Sequence, residues 1–76
     1  MNTPLCIGDR VKVYLDSKFG MNEGWYNGEI IRIDPYSEHR SFHWVKLDEE
    51  ARVLLGLEHI SVFNPKNILK IEKRLE

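Results

Sequence analysis

The chain of 76 residues is 42% hydrophobic and 30% charged, a composition typical of folded globular proteins and unlike that of disordered chains. Its length allows one small domain, residues 1–76, with a thin core that buries about 60–65% of the surface of the unfolded chain. Lys and Arg number 11 and Asp and Glu number 12, giving a formal net charge of -1. Nucleic-acid-binding modules of this size usually carry a basic excess, so that function is not favoured, although the balance does not exclude a local basic patch.

Cysteine content and apolar runs indicate the cellular environment. The chain has one cysteine, Cys6, so no internal disulfide is possible, and a reducing cytoplasmic environment is expected. The first ten residues, MNTPLCIGDR, lack the basic and apolar regions of a signal peptide. No apolar run exceeds four residues, which is far short of a membrane span. We therefore expect a cytoplasmic protein with no membrane partner.

The first predicted strand lies within 7–15, where apolar and polar residues alternate with the period of a half-buried strand. Its inward-facing residues are Val11, Val13 and Leu15. The following segment, 16–24, is rich in Gly, Asp, Ser and Asn and predicts a loop. We expect the apolar side chains of this loop, Phe19 and Met21, to fold back over one end of the core.

The second predicted strand, 25–33, changes its alternation part-way along. One face carries Tyr26, Gly28 and Ile30, whereas the other carries Ile31 and Ile33. Such a change indicates a β-bulge or strong coiling. A glycine inside a strand marks a bend or a close approach of another backbone, and Gly28 fits either role.

The remaining elements complete an all-β chain with one insertion. The segment 48–56 predicts a helix of two turns at most, because Asp48 suits an N-cap and Gly56 suits the C-terminal stop, with a wide hairpin as the alternative. The other elements are a turn at 34–40, a third strand at 41–48, a fourth at 58–63, a single turn at 64–67, a fifth strand at 68–72 and a charged tail at 73–76. Five short antiparallel strands in so short a chain predict a small barrel, closed or half-closed.

The order of these motifs resembles the SH3-type small barrels, and most closely their Tudor/Agenet branch. The chain reads GDRVKVY, then GWYNGEIIRID, HWVKLD and ISVFNPKNILKI, within a barrel core of about 7–72. In that branch a Gly-Asp pair precedes the first strand, the second strand begins with an aromatic residue and ends in Ile-Asp, and one helical turn joins the last two strands. The resemblance implies a five-stranded antiparallel barrel with a short insertion and a one-turn helix before the last strand.

Tudor-type domains hold methylated lysine or arginine in an aromatic cage through cation–π attraction. The resemblance places Tyr26 at the cage position of the second strand and Tyr14 near the cage position at the end of the first strand. At the end of the third strand, where a further aromatic residue is expected, this sequence has Leu47 and Asp48. The cage that the resemblance implies is therefore incomplete.

The chain is also similar to the small plasmid-encoded type II dihydrofolate reductases, which share the Gly-Asp-Arg-Val opening and an aromatic-Pro turn near the C-terminus. Their tetrameric pore is lined by a Val-Gln-Ile-Tyr strand, and the corresponding residues here are Ile60, Ser61, Val62 and Phe63. Because the glutamine and the tyrosine are replaced, reductase activity is not expected. Assembly through this strand into an oligomeric barrel with a pore site stays open as an alternative.

Catalytic and metal-binding patterns are weak in this sequence. His39 and His43 are four residues apart, but one lies in a predicted turn and the other in a strand, so the spacing does not place them on one face. Cys6 lies in a predicted N-terminal arm, where we expect a half-buried structural thiol. The sequence contains no P-loop, nucleophile elbow or dinucleotide fingerprint. We predict no enzymatic activity, no metal site and no cofactor.

Aromatic residues carry the remaining functional signal. The candidate binding residues are Tyr14, Trp25, Tyr26, Phe42, Trp44 and Phe63. If Val45 and Leu47 face the core, then Phe42 and Trp44 face outward and need cover. That cover could come from the insertion at 53–57, from a second copy of the chain, or from a ligand or peptide.

Basic residues on the same sheet face offer a different function. With Trp44 they would form a modest platform for single-stranded nucleic acid, but Glu29 and Asp34 among them favour a solvated face. These residues are Arg10, Lys12, Arg32 and Lys46. We predict a non-catalytic binding or assembly module that recognises a protein or peptide partner, or a second copy of itself, through an aromatic patch on the second to fourth strands. A small nucleic-acid-binding barrel is a further alternative.

Overall fold

The structure of the protein, a computed structural model, describes residues 5–71 apart from the side chain of Phe19. Five strands form one antiparallel sheet, which confirms the predicted strand number and the all-β class. The strands are β1 Arg10–Leu15, β2 Gly24–Pro35, β3 Ser41–Leu47, β4 His59–Val62 and β5 Ile68–Lys70. Within the described residues the connections include one α-helix, α1 Glu49–Leu55, and two 3₁₀ helices, Ser17–Asn22 and Pro65–Asn67.

The connection between β1 and β2 is more regular than the predicted loop. It contains the first 3₁₀ helix, which begins after Asp16, whose carboxylate accepts a hydrogen bond from the backbone N–H of Lys18 at 3.1 Å. Met21 is fully exposed, so the prediction that it covers the core is wrong. The side chain of Phe19 lies outside the part of the chain that the structure describes.

The strands lie in the order β4-β3-β2-β1-β5, so β4 and β5 are the two edges of the sheet. Within residues 5–71 no strand pairing joins these edges, and the sheet is therefore not closed by hydrogen bonds. The second 3₁₀ helix, Pro65–Asn67, carries the chain from one edge to the other. The predicted fifth strand ends at Lys70, and residues 72–76, which include the predicted tail, lie outside the described residues.

A β-bulge divides β2 at the position where the sequence alternation changes. Ile30 pairs with Val45 and Arg32 pairs with Trp44, so Ile31 has no partner residue on β3. Ile30 is 0% exposed and Ile31 is 41% exposed. The predicted bulge is confirmed, and it lets β2 keep apolar residues on its core face on both sides of Ile31.

Gly28 is required by a close approach of β3. A Cβ atom at this position would lie 2.6 Å from the carbonyl oxygen of Lys46 and 2.6 Å from Cγ1 of Val45. Both distances are far below van der Waals contact, so only glycine fits without displacement of the neighbouring strand. Of the two roles predicted for this glycine, the close approach is the one observed.

The core lies on the inner face of the sheet and takes residues from every strand and from α1. Its buried members are Val11, Val13, Leu15, Ile30, Val45, Leu47, Ala51, Val62 and Ile68. The inward-facing residues predicted for the first strand are among them. Leu55 and Leu57, in the insertion, and Ile33 pack against this core while remaining partly exposed.

The insertion forms the predicted helix rather than the alternative hairpin. Asp48 occupies the N-cap position, but its side chain makes no capping hydrogen bond. Its carboxylate instead accepts a hydrogen bond from Arg10 Nη2 at 2.6 Å. Gly56 ends the helix in the left-handed conformation, with φ of 71°, as expected for a C-terminal glycine.

Candidate functional site

The predicted aromatic patch is divided into separate groups. Tyr14 and Trp25 form one pair on β1 and β2. Phe42, near the start of β3, and Phe63, directly after β4, form another pair. Trp44 contacts His59 rather than either pair. Because the rings of different groups make no ring–ring contact with one another, the binding properties of each group are considered separately.

Three aromatic rings contact one another beside the turn between β2 and β3, and we call Tyr36, Phe42 and Phe63 the aromatic cluster. The ring centroids of Phe42 and Phe63 are 4.7 Å apart, and Tyr36 lies edge-on to them at 6.0 Å and 5.4 Å. Tyr36 is 70% exposed and Phe42 is 36% exposed. The guanidinium of Arg40 lies 5.5 Å from the ring centre of Phe63. An exposed apolar surface with a stacked cation at its rim is thus present.

Sequence reasoning missed Tyr36 because the residue lies in a segment assigned only as a turn. The feature that could have identified Tyr36 is its position in the tight turn that joins β2 and β3. Tyr36 N and Ser37 N both donate to the carbonyl of Arg40, at 2.9 Å and 3.0 Å, and this tight closure folds the turn back toward Phe42. An aromatic residue at the first position of such a turn is therefore placed beside the strand ends.

Trp44 is half-buried and is held by its neighbours on the outer face. Its indole Nε1 donates to Asp34 Oδ2 at 3.1 Å, and its ring lies edge-on to His59 with centroids 6.1 Å apart. Arg32 Nε donates to the same carboxylate at 2.8 Å, and this hydrogen bond, with that from Trp44, lowers the pKa of Asp34. Trp44 is therefore a less accessible contact than the sequence predicted.

Cover by the insertion is one of the three alternatives for Phe42 and Trp44. Ala51 and Leu54 of α1 instead line a cleft with Trp25 of β2. Val53 is exposed on the outside of the helix. Of the three covers considered for Phe42 and Trp44, cover by residues 53–57 is the one that the observed position of α1 disfavours.

Trp25 and Tyr14 form a cross-strand pair on the outer face of β1 and β2. Their ring centroids are 5.4 Å apart, and Lys12 Nζ lies 5.5 Å from the Trp25 ring centre. The Tyr14 hydroxyl donates to the carboxylate of Glu23, and this hydrogen bond raises the pKa of Tyr14. These contacts already occupy the polar end of Tyr14 and one face of Trp25.

Tyr26 points to the opposite face of the sheet from Tyr14. It pairs with Val13, packs against the core and donates its hydroxyl proton to the carbonyl of Asn22 at 2.6 Å. The structure therefore does not bring Tyr14 and Tyr26 together in a single cage. Tyr26 instead lines the cleft between β2 and α1.

The cleft between β2 and α1 has a volume of about 320 Å³ and mixed lining. Trp25, Tyr26 and Leu54 supply apolar surface, and Asp48 and Glu50 supply carboxylates. Trp25 is 45% exposed. A cavity that combines aromatic rings with acidic groups suits a cationic group, although the Asp48 carboxylate is already bound by Arg10.

The basic residues of the outer face are partly neutralised. Arg10 pairs with Asp48 at 2.6 Å and Arg32 with Asp34 at 2.8 Å. The hydrogen bond from Arg10 lowers the pKa of Asp48, and the same bond raises the pKa of Arg10. Of the four basic residues of this face, Lys12 and Lys46 have no carboxylate partner among the described residues. Two such positive charges are few for a nucleic-acid-binding surface.

The remaining candidate features are metal-binding groups, membrane-spanning helices and the Cys6 thiol. Among residues 5–71, no group of three His, Cys, Asp or Glu side chains is arranged to hold a metal ion. No helix in the same range is long and apolar enough to cross a membrane. Cys6 is exposed, which corrects the expectation of a half-buried thiol.

No protein-family model, curated protein or solved structure matches this chain.

Proposed function

We propose that the protein is a non-catalytic binding module that recognises a protein or peptide partner through the aromatic cluster. The observation that carries the proposal is the exposure of Tyr36 and Phe42 in a three-ring contact with Phe63. Exposed aromatic side chains in mutual contact are the usual anchors of protein interfaces, because each buries a large apolar area at low cost in side-chain entropy. The adjacent Arg40 supplies the polar rim such anchors require.

The finer assignment of the fold, an SH3-type and Tudor-like barrel, belongs to the same proposal. It is supported by the strand order β4-β3-β2-β1-β5, by the bulge in β2 and by the 3₁₀ helix Pro65–Asn67 between the last two strands. Each of these features bends or joins the sheet so that β5 returns to β1. An experimental structure in which β5 pairs elsewhere would exclude this assignment.

A selection experiment tests the binding function directly. Random octapeptides displayed on phage are selected on the immobilised full chain, and enriched peptides are synthesised and titrated. We expect Phe42→Ser with Tyr36→Ser to weaken binding at least tenfold, because two anchors are lost. Leu69→Ser, which removes an equally exposed apolar side chain on the far edge strand, is the matched control and should change binding little. Enriched peptides that bind the double variant as well as the wild type would exclude the aromatic cluster.

A second candidate function is recognition of a cationic side chain in the cleft between β2 and α1. The combination of Trp25 and Leu54 with Glu50 favours an alkylammonium group, through cation–π and charge attraction. Titration with N-acetyl-trimethyllysine methylamide, followed by the fluorescence of Trp25 in a Trp44→Phe variant, measures this binding. Loss of the response in Glu50→Gln is expected, and an absent response in both proteins excludes the candidate.

A further inference from the structure

Within residues 5–71, the outer edge of β4 has no partner strand, and its backbone groups follow a defined pattern. Leu47 N donates to the carbonyl of Glu58 at 3.0 Å, and the same register pairs Val45 with Ile60. In an antiparallel ladder, directly opposed residues alternate between pairs that exchange hydrogen bonds and pairs that do not. Leu47–Glu58 and Val45–Ile60 are thus hydrogen-bonded pairs, whereas Ser61, opposite Trp44, is not hydrogen-bonded to β3.

It follows that the N–H and C=O groups of His59 and Ser61 point away from β3, toward the free edge of the sheet. Among the backbone hydrogen bonds that the described residues make outside the strand ladders, none involves either residue. Both residues are exposed. Their side chains carry no fixed charge, and β4 contains neither lysine nor proline, so it lacks the features by which edge strands usually avoid further pairing.

A groove of about 170 Å³ lies beside the C-terminal part of this edge, where Ser61 and Phe63 line it. One wall is β4 itself with Phe63, and the other is formed by the end of β1 and the first 3₁₀ helix, through Tyr14, Asp16 and Lys18. The second wall limits the size of the partner that can lie beside β4. A single extended chain needs space only beside β4, whereas a second folded copy paired through its own β4 would also bring the rest of its sheet toward the wall that contains Tyr14 and Lys18.

The groove is continuous with the aromatic cluster, because Phe63 belongs to both. A chain paired with Ser61 would continue past Phe63, which directly follows β4 and belongs to the aromatic cluster. Main-chain hydrogen bonds would then supply part of the affinity, and side chains over Phe63 would supply selectivity, as in other complexes formed by strand addition.

We propose that the free edge of β4 binds an extended peptide segment as an additional strand of the sheet, with its backbone bonded to His59 and Ser61. This inference rests on the proposed function and names the class of its partner. The peptide has no proline at the positions that face the edge, and it carries an apolar or aromatic side chain over Phe63. A peptide held only by its side chains would use the aromatic cluster alone.

The test uses the synthetic peptides enriched by phage selection on the full chain. N-methylation at alternate backbone positions removes the donors that face β4 in one series and the donors that face away from β4 in the other. We expect at least a tenfold loss of affinity in the first series and a change below threefold in the second. The protein is unaltered in this comparison, so the result does not depend on the folding of a variant.

Hydrogen exchange measured by NMR gives the matching observation on the protein. Without peptide, the amides of His59 and Ser61 should exchange faster than that of Ile60, and saturating peptide should slow the exchange of Ser61 at least tenfold. Ser61→Pro removes the edge donor without removing a bond to β3 and should weaken binding at least tenfold. Equal losses in both N-methylated series, or an unchanged Ser61 exchange rate on binding, would overturn the proposal.

The outcomes separate this inference from the function on which it rests. Peptides that lose binding with Phe42→Ser and Tyr36→Ser but keep it with Ser61→Pro support the aromatic cluster and overturn strand addition. Failure of the selection to enrich any peptide overturns both. A dimer of the free chain in light scattering, with Ser61 exchange slowed in proportion to protein concentration, would identify a second copy as the occupant and also overturn the peptide proposal.

Discussion

Trp44 Nε1 donates a hydrogen bond to Asp34 Oδ2 at 3.1 Å, across the antiparallel pair of β2 and β3. The same carboxylate accepts from Arg32, so one acidic group fixes both a basic and an aromatic side chain on the outer face. This arrangement explains why Trp44 is half-buried although it alternates outward from the core residue Val45. Trp44 is thus held in place by its hydrogen bond to Asp34 and by the edge contact of its ring with His59.

The first prediction concerns the freedom of Trp44. In Asp34→Ala, made in a Trp25→Phe background, the indole loses its acceptor, so we expect faster quenching of Trp44 fluorescence by acrylamide. Glu38→Ala, which removes an exposed carboxylate of the same turn, is the control and should leave quenching unchanged. Identical quenching in Asp34→Ala and the background protein would contradict a role for this hydrogen bond.

The second prediction concerns the pair of Arg10 and Asp48. Because the pKa of Asp48 is lowered in the folded state, its contribution to stability is present above the pKa of the unfolded carboxyl, about 4, and is lost as the pH falls through the lower folded value. Both side chains are partly exposed, so we expect Asp48→Asn to cost about 0.2–1 kcal/mol at pH 7, and we expect this cost to shrink as the pH is lowered below about 4.

Urea unfolding of wild type and Asp48→Asn at several pH values measures this difference. Glu50→Gln is the matched control, since it removes a carboxylate from the first turn of the same helix without removing a partner of Arg10. A difference between Asp48→Asn and wild type that does not shrink as the pH is lowered below about 4 would show that the carboxylate acts in some other way.

The third prediction uses two adjacent isoleucines on either side of the change in alternation. Ile30→Ala creates a cavity in the core and should reduce the free energy of unfolding by about 2–5 kcal/mol. Ile31→Ala removes a side chain at the unpaired bulge position and should change it by less than about 0.5 kcal/mol. Chemical denaturation of both variants checks the pair, and similar losses would place the bulge at another residue.

The sequence predicted the features of the fold that depend on alternation. The change of face between Ile30 and Ile31 followed from the period of two, because only a bulge reconciles it with one buried face. The helix at Glu49–Leu55 followed from its acidic first turn and from Gly56. The 3₁₀ helix in the first connection did not follow, because Gly, Ser and Asn are also typical of irregular loops.

The candidate site was harder to predict than the fold. Alternation correctly assigned Phe42 and Trp44 to the outer face, but how exposed each ring is depends on polar partners such as Asp34, which no periodicity records. Tyr36 lies beside Phe42 because the turn at residues 36–40 closes tightly, which alternation within the strands does not predict. The placement of Tyr14 and Tyr26 on opposite faces was implied by the register, which alternation within single strands does not give.

The last prediction concerns Gly28, which faces the backbone of β3. Gly→Ala usually stabilises a protein by about 0.4–1 kcal/mol where the site accepts a methyl group, because it restricts the unfolded chain. Here the added Cβ would lie 2.6 Å from the carbonyl oxygen of Lys46, a backbone atom held in the sheet. We therefore expect Gly28→Ala to reduce the free energy of unfolding by about 1–3 kcal/mol.

Urea unfolding of Gly28→Ala is compared with that of Asn27→Ala, a substitution at the exposed neighbouring position of β2. The control should differ from wild type by less than about 0.5 kcal/mol. Because relief of the clash requires β2 and β3 to separate, the Gly28→Ala variant should also show faster exchange of the Lys46 amide, which lies at the contact. A Gly28→Ala variant as stable as wild type, with unchanged exchange, would mean that the two strands are farther apart than the 2.6 Å approach requires.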